Sequence, residues 1–138
     1  MSTPAKTVLL IDDSDTVHRM LEWILKPTGV ETLSASDGKE GLGALERHVV
    51  DLVIVDMNMP GMDGIEFVRA VRAMPDRQGL PIIMLTTERR DQDVKLAYDA
   101  GVNMYLVKPS SPPIIRYKVL SLLGLPAAGG DLAGGPAS

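Results

Sequence analysis

Apolar residues gather in five short runs: Thr7 to Ile11, Val30 to Ser34, Leu52 to Val55, Ile82 to Leu85 and Met104 to Val107. Four of them are almost unbroken in Val, Ile, Leu and Met, as strands buried on both faces of a parallel sheet are; the second is more mixed and suits a sheet edge. Helical spacing fills the gaps. Val17, Met20, Leu21 and Ile24 recur at i, i+3, i+4 and i+7, which predicts a first helix packing that face on the sheet. Ser14 or Asp15 is placed to cap it, and Lys26-Pro27-Thr28-Gly29 ends it. A second helix is predicted from Lys39 to Arg47 behind Asp37-Gly38. Gly41 and Gly43 inside it each cost roughly 1 kcal/mol relative to alanine, so it is expected to be the least stable. A third helix carries Ile65, Val68 and Val71 after Asp63-Gly64. A fourth carries Val94, Leu96, Ala97 and Ala100 before Gly101, and a fifth runs from Ile114 to Leu123 after Pro112-Pro113.

Strand followed by helix, five times over, predicts an α/β fold: a doubly wound five-stranded parallel sheet with five helices on its two faces. The 138 residues suit one domain. We place it at residues 6–124, behind an N-terminal extension of residues 1–5. Residues 125–138 are rich in Gly, Ala and Pro, lack periodicity, and are expected to form a disordered tail. Composition then narrows the chemistry. A net charge of -4 disfavours direct binding of nucleic acid, which needs clustered Lys and Arg. The chain has no cysteine, so covalent chemistry falls to oxygen or nitrogen nucleophiles. There is no signal-like apolar region at the start and no apolar run of roughly 18 residues, so no membrane insertion is expected and the location is read as cytoplasmic.

Four of the five apolar runs finish in polar residues: Asp12 and Asp13, Asp56, Thr86 and Lys108. Ligands of open parallel sheets bind beyond the carboxyl ends of the strands, so these side chains should converge on one rim. Three carboxylates about 5 Å apart would repel by roughly 3 kcal/mol per pair at an effective dielectric of about 20, so the cluster needs a cation. A hard divalent ion with oxygen ligands suits it, Mg2+ bridges readily to phosphoryl oxygens, and Lys108 adds a fixed positive charge. A carboxylate is a competent nucleophile toward phosphorus, and phosphoryl transfer needs mainly in-line positioning and neutralisation of the equatorial oxygens. Thr86 is placed to bond one phosphoryl oxygen and so to move the loop after it. Singly, each residue has a plainer reading: the acidic pair caps a helix, Asp56 shapes a turn, Lys108 is a surface lysine before Pro109. Their joint occurrence at four strand ends favours a site.

Taken with Val8-Leu-Leu-Ile-Asp-Asp-Ser14, Asp51-Leu-Val-Ile-Val-Asp-Met-Asn-Met-Pro-Gly-Met-Asp-Gly64, Pro81-Ile-Ile-Met-Leu-Thr-Thr87, Ala100-Gly101 and Tyr105-Leu-Val-Lys-Pro109, the chain resembles the receiver domain of two-component response regulators over about Lys6 to Leu123. The chemotaxis-type single-domain members are the nearest in pattern. The resemblance implies the flavodoxin-like, CheY-like strand order 2-1-3-4-5. It implies Asp56 as phosphoacceptor, Asp13 and Asp56 as ligands of Mg2+ or Mn2+, Asp12 helping through water, and the Asn58 backbone carbonyl on the metal. Thr86 and Lys108 would contact the phosphoryl group, and Tyr105 resembles the switch aromatic whose rotamer follows Thr86. The implied donor is a histidine kinase, a histidine phosphotransfer protein or a small acyl phosphate. The implied downstream protein partner binds the face of the fourth helix, fifth strand and fifth helix. Such a protein is no enzyme beyond self-catalysed phosphotransfer and autodephosphorylation. Two residues depart from the family pattern: Ser110 stands where an aromatic often follows Lys-Pro, and Thr87 is bulkier than usual.

Rival readings remain at this stage. Asp13-Ser-Asp-Thr-Val17 fits the nucleophile motif of haloacid-dehalogenase-type phosphatases, but that family needs an acidic pair after the lysine, and only Asp131 follows Lys108. The others are a pure interaction module, which ordinarily loses one of the site residues kept here, and the receiver part of a longer regulator. His18 and His48, each isolated on a helix, read as ordinary surface histidines. Met57, Met59 and Met62 read as adaptable packing around the site. Trp23 falls off the apolar face of the first helix and reads as rim packing with a partly exposed ring, or as an anchor for a partner.

Overall fold

The apolar runs pair into one parallel sheet of order β2-β1-β3-β4-β5 in the computed structural model, which describes residues 5–126. In chain order the elements are β1 (Thr7–Ile11), α1 (Asp15–Leu25), β2 (Glu31–Ala35), α2 (Gly38–Arg47), β3 (Leu52–Val55), α3 (Gly64–Arg72), β4 (Ile82–Thr86), α4 (Asp91–Ala100), β5 (Met104–Val107) and α5 (Pro112–Leu123). Successive side chains of a strand point to opposite faces, so the central strands split between two cores. Leu9, Ile11, Val53, Val55, Ile82 and Met84 pack under α2, α3 and α4 around Phe67. Val8, Leu10, Leu52, Ile54, Ile83 and Leu85 pack under α1 and α5. This division is why the runs are apolar without alternation.

Side chains at the helix starts satisfy the amides that an α-helix leaves free. Ser14, rather than Asp15, caps α1 by accepting from the Val17 amide, and Asp37 accepts from Glu40 at the start of α2. Asp63 and Glu66 exchange bonds in a capping box at α3. A single 3-10 turn, Lys26–Thr28, follows α1 and ends at Gly29 with φ +82°.

Several expectations need correction. The buried face of α1 is His18, Leu21, Ile24 and Leu25; Met20 is exposed and Val17 only half-buried. The actual face is turned toward His18 because the imidazole goes inward, against its polarity. On α4, Leu96 is exposed and Asp93 is buried, held by Arg90 at 3.0 Å. The fifth run is not buried on both faces: β5 is a second sheet edge, half-buried along its length. The second strand starts one residue later than expected, at Glu31, and β4 runs on to include Thr86. Gly41, expected only to weaken α2, is a contact residue: a Cβ there would strike the Ile11 side chain and crowd Phe67. Residues 1–4 of the expected extension and 127–138 of the expected tail, with Asp131, lie outside the described residues. Among the described residues no helix is long and apolar enough to cross a membrane.

Candidate functional site

Parallel strands end on one side of a sheet, and here β1, β3, β4 and β5 deliver their terminal polar residues to the same place. Asp12 and Asp13 follow β1, Asp56 follows β3, Thr86 closes β4 and Lys108 follows β5. Carboxylate oxygens of Asp12, Asp13 and Asp56 all lie within 4.8 Å of one another. Their burial differs: Asp12 is 4% exposed and Asp56 9%, whereas Asp13 faces solvent. The Lys108 ammonium bonds the two buried acids, reaching Asp12 Oδ2 at 2.8 Å and Asp56 Oδ2 at 3.4 Å. Burial alone would pull the lysine pKa down. The hydrogen bond to Asp12 and the charges of Asp56 and Asp12 outweigh it, so Lys108 is held above the ordinary lysine value and keeps its charge.

Backbone fixes these side chains. The Asp56 amide donates to the Ile11 carbonyl and the Asp12 amide to Ala35, which ties both acids to neighbouring strands. Asp12 Oδ1 accepts from the Ser14 amide at 3.0 Å, leaving its other oxygen to Lys108. At the start of α3, the Gly64 amide donates to the Met57 carbonyl at 2.8 Å, and a Cβ on Gly64 would overlap the Asp56 carbonyl oxygen. Met57 and Met59 are buried in the core on this face and Met62 packs, half-buried, against that core, the packing role expected for the three.

On the other side of Asp56 lies the β4–α4 loop. Thr86 is fully buried, and its Oγ1 accepts from the Glu88 amide at 3.4 Å. The Glu88 carbonyl accepts from the Tyr105 hydroxyl at 2.8 Å, and the Glu88 carboxylate accepts from the Asn58 side chain at 2.8 Å. The Asn58 backbone N–H in turn donates to Asp56 Oδ1 at 3.4 Å. Burial, then the charges of Asp93, Glu88 and Asp56, hold the Tyr105 phenol above its ordinary pKa, so it stays a donor. The structure thus brings together the residues expected at the strand ends and beside them: the three acids and Lys108 directly, Asn58, Thr86 and Tyr105 through Glu88. Glu88 itself was missed, since a lone acid in a loop has no spacing to mark it. His18 was misjudged: it is buried, and its Nε2 has no hydrogen-bond partner among the described residues. His48 is exposed, as expected, and Trp23 is 69% exposed, more than rim packing implies.

The donor set is chemically suited to a hard cation. Three carboxylates offer only oxygen, and one ammonium balances one of their three charges, which leaves room for a divalent ion rather than a soft or thiolate-bound metal.

Comparison with known proteins agrees with this geometry. The family described as response regulator receiver domain matches residues 8–120. The chemotaxis protein CheY of Pseudomonas aeruginosa is 40% identical over 114 residues, covering 81% of this chain and 91% of that one. The crystal structure of Vibrio cholerae CheY4 is 34% identical, covers 86% of this chain and 99% of its own, and superposes with a TM-score of 0.81. The Mn2+-bound form of the response regulator Rcp1, 27% identical, covers 88% and 99% with a TM-score of 0.76. A 2-1-3-4-5 sheet with three acids, a threonine and a lysine on its carboxyl rim, matched by family and by structure, makes this chain a member of the response regulator receiver family, of the CheY-like kind that serves two-component signalling.

Proposed function

We propose that this receiver takes a phosphoryl group on Asp56 and passes the signal to a protein partner through the face of α4, β5 and α5. The donor is a histidine kinase or a histidine phosphotransfer protein. The observation that supports the reading best is the Asp56 carboxylate itself: nearly buried at the carboxyl rim of the sheet, with Lys108 on one oxygen and two further acids beside it. An Asp56 oxygen attacks phosphorus in line and the bond to the donor imidazole nitrogen breaks; that nitrogen keeps the electron pair, and with a proton on its other ring nitrogen the imidazole leaves neutral. Asp56 then holds an acyl phosphate. Lys108 turns from the carboxylates to the new phosphoryl oxygens, and the Thr86 hydroxyl donates to another. Asp12, Asp13, Asp56 and the Asn58 backbone carbonyl would hold Mg2+ or Mn2+, which supplies charge neutralisation of the phosphoryl oxygens. The Mn2+-bound Rcp1 structure belongs to the same family and supports that choice of ion.

Turning the Thr86 hydroxyl to the phosphoryl group withdraws the acceptor of the Glu88 amide. The Glu88 peptide is then free to shift, and with it the bond that holds the Tyr105 hydroxyl. Tyr105 can move into space left behind Thr86, and α4 with it. The protein acts on no separate substrate and works in the cytoplasm. Labelling with an acyl phosphate and Mg2+, read by intact mass, tests the assignment. Wild type gains one phosphoryl group, and Asp56→Asn or wild type with a chelator gains none, because an amide is a poor nucleophile. Equal labelling of wild type and Asp56→Asn would sink it.

A further inference from the structure

Tyr98 lies in the last turn of α4 and has no part in the site described above. Its phenol oxygen accepts a hydrogen bond from the backbone amide of Tyr105 at 3.1 Å. This contact crosses the open edge of the sheet, because β5 pairs with β4 alone among the described residues. An edge strand ordinarily leaves such amides to water or to a partner strand. Here one of them belongs to a side chain of the neighbouring helix. The same Tyr105 donates its hydroxyl to the Glu88 carbonyl at 2.8 Å, three residues before α4 begins. Tyr105 is therefore the point to which both ends of α4 are tied: the start through Glu88, the end through Tyr98. An unbroken line runs from the Thr86 hydroxyl through the Glu88 peptide and both polar ends of Tyr105 to Tyr98.

We propose that Tyr98 is a positioning residue for the Tyr105 switch, its hydroxyl fastening the end of α4 to β5 and so favouring the resting arrangement. The proposal rests on the phosphoacceptor reading and adds to it the residue that sets how readily the switch turns. Tyr98 is 46% exposed, so its ring adds little to the core and the hydroxyl can be removed with little loss of packing. Any shift of α4 along β5 must break this bond or the one to Glu88. Without it, the arrangement that phosphorylation favours lies closer in energy to the resting one.

The experiment uses the full chain as wild type, Tyr98→Phe and Tyr105→Phe, with beryllofluoride and Mg2+ as the phosphoryl mimic. In the free protein, amide exchange at residue 105 is expected to quicken by about tenfold in Tyr98→Phe, the effect of losing one ordinary hydrogen bond. Tyr105→Phe keeps the backbone bond, so there the amide of residue 105 stays protected while exchange at Glu88 rises. The half-saturating beryllofluoride, followed by the backbone resonances of α4, is expected to fall several-fold in Tyr98→Phe, because a ligand that favours one state binds better once the other is weakened. Unchanged exchange at residue 105 overturns the proposal. So does faster exchange with an unchanged half-saturation, which would make the bond a local contact without influence on the switch. If wild type neither gains a phosphoryl group nor responds to beryllofluoride, the phosphoacceptor reading fails and the regulatory claim with it. Exchange at residue 105 in the free proteins still reports separately whether the Tyr98 bond exists.

Discussion

At Lys108 the charge balance of the whole rim is decided. Its ammonium lies between two buried carboxylates, and removing one partner of such a group leaves the others uncompensated. In Lys108→Met we expect a loss of about 2 kcal/mol in urea unfolding with chelator present and, with Mg2+ supplied instead, a fall of about 100-fold in the rate of Asp56 labelling. The sign of the pH dependence follows from the raised pKa. A lysine held above its ordinary value contributes stability that is complete below that value, 10.5, and is lost as pH rises through the folded one. The gap between wild type and Lys108→Met is therefore expected to stay level from about pH 6 to 9 and to close only above the ordinary lysine value; a gap that closes below pH 9 would contradict the pairing. His18 poses the opposite case. Its buried Nε2 without a partner is a liability that an apolar side chain removes. His18→Leu is expected to raise stability by about 1 kcal/mol, read as a higher urea midpoint, and a loss of stability would show that the nitrogen is bonded in solution. Neither role is visible in sequence. Lysine before Pro109 has the same letters whether paired or free, and a histidine in an amphipathic helix reads as polar until the fold turns it inward.

Elements were the most legible scale. All five strands and five helices follow from apolar runs and helical spacing; for β1, β3 and β4 the runs are plainest, because burial on both sheet faces leaves a pattern that hardly depends on tertiary detail. What failed was the finer placing of faces. On α1, Met20 looked like core by spacing, yet the helix is rolled toward His18; periodicity locates a stripe to about one residue in either direction, and only packing decides which. On β5, apolar composition suggested a buried strand, whereas topology makes it an edge. Strand order came with the family resemblance and not from the pattern, since neighbours in a crossover fold are not neighbours in sequence. Gly64 shows what a glycine at a helix start can conceal. Asp63-Gly64 was read as a boundary signal, but the structure gives Gly64 a steric duty: α3 begins against the backbone of Asp56 and Met57, with no space for a Cβ. Backbone cannot swing aside as a side chain end can. Gly64→Ala is thus expected to cost about 2–3 kcal/mol in urea unfolding and to slow Asp56 labelling as well. A variant as stable and as readily labelled as wild type would show that the start of α3 is free to move.

Across the whole molecule, the site and the α4–β5–α5 face are separated by one peptide, that of Glu88. On the function proposed above, phosphorylation would add about 1.5 to 2 negative charges and three strong acceptor oxygens at Asp56, and it would act at a distance only by biasing an element with two arrangements. To move such an equilibrium from 1:99 to 99:1 takes about 5.5 kcal/mol of preference. A hydrogen bond to a charged acceptor contributes about 1.5 to 3 kcal/mol, so the Thr86 hydroxyl alone falls short. In the proposed scheme the remainder would come from Lys108 and from a partner that binds only the turned arrangement, so a partial shift is expected of the phosphorylated protein by itself. In the proposed switch Thr86 is nonetheless the link, because its Oγ1 already accepts from the Glu88 amide and its hydroxyl would donate to the phosphoryl group. We therefore expect Thr86→Ala to accept a phosphoryl group on Asp56, since the nucleophile, its acids and Lys108 are untouched, and to lose most of the response beyond it. The measurement is amide exchange over residues 86–123 with and without beryllofluoride. Wild type should change across the β4–α4 loop, α4 and β5, and Thr86→Ala should change only near Asp56. A response of full size in the variant would place the link elsewhere, in Lys108 and the cation site, and would make the contact between Thr86 and Glu88 a bystander.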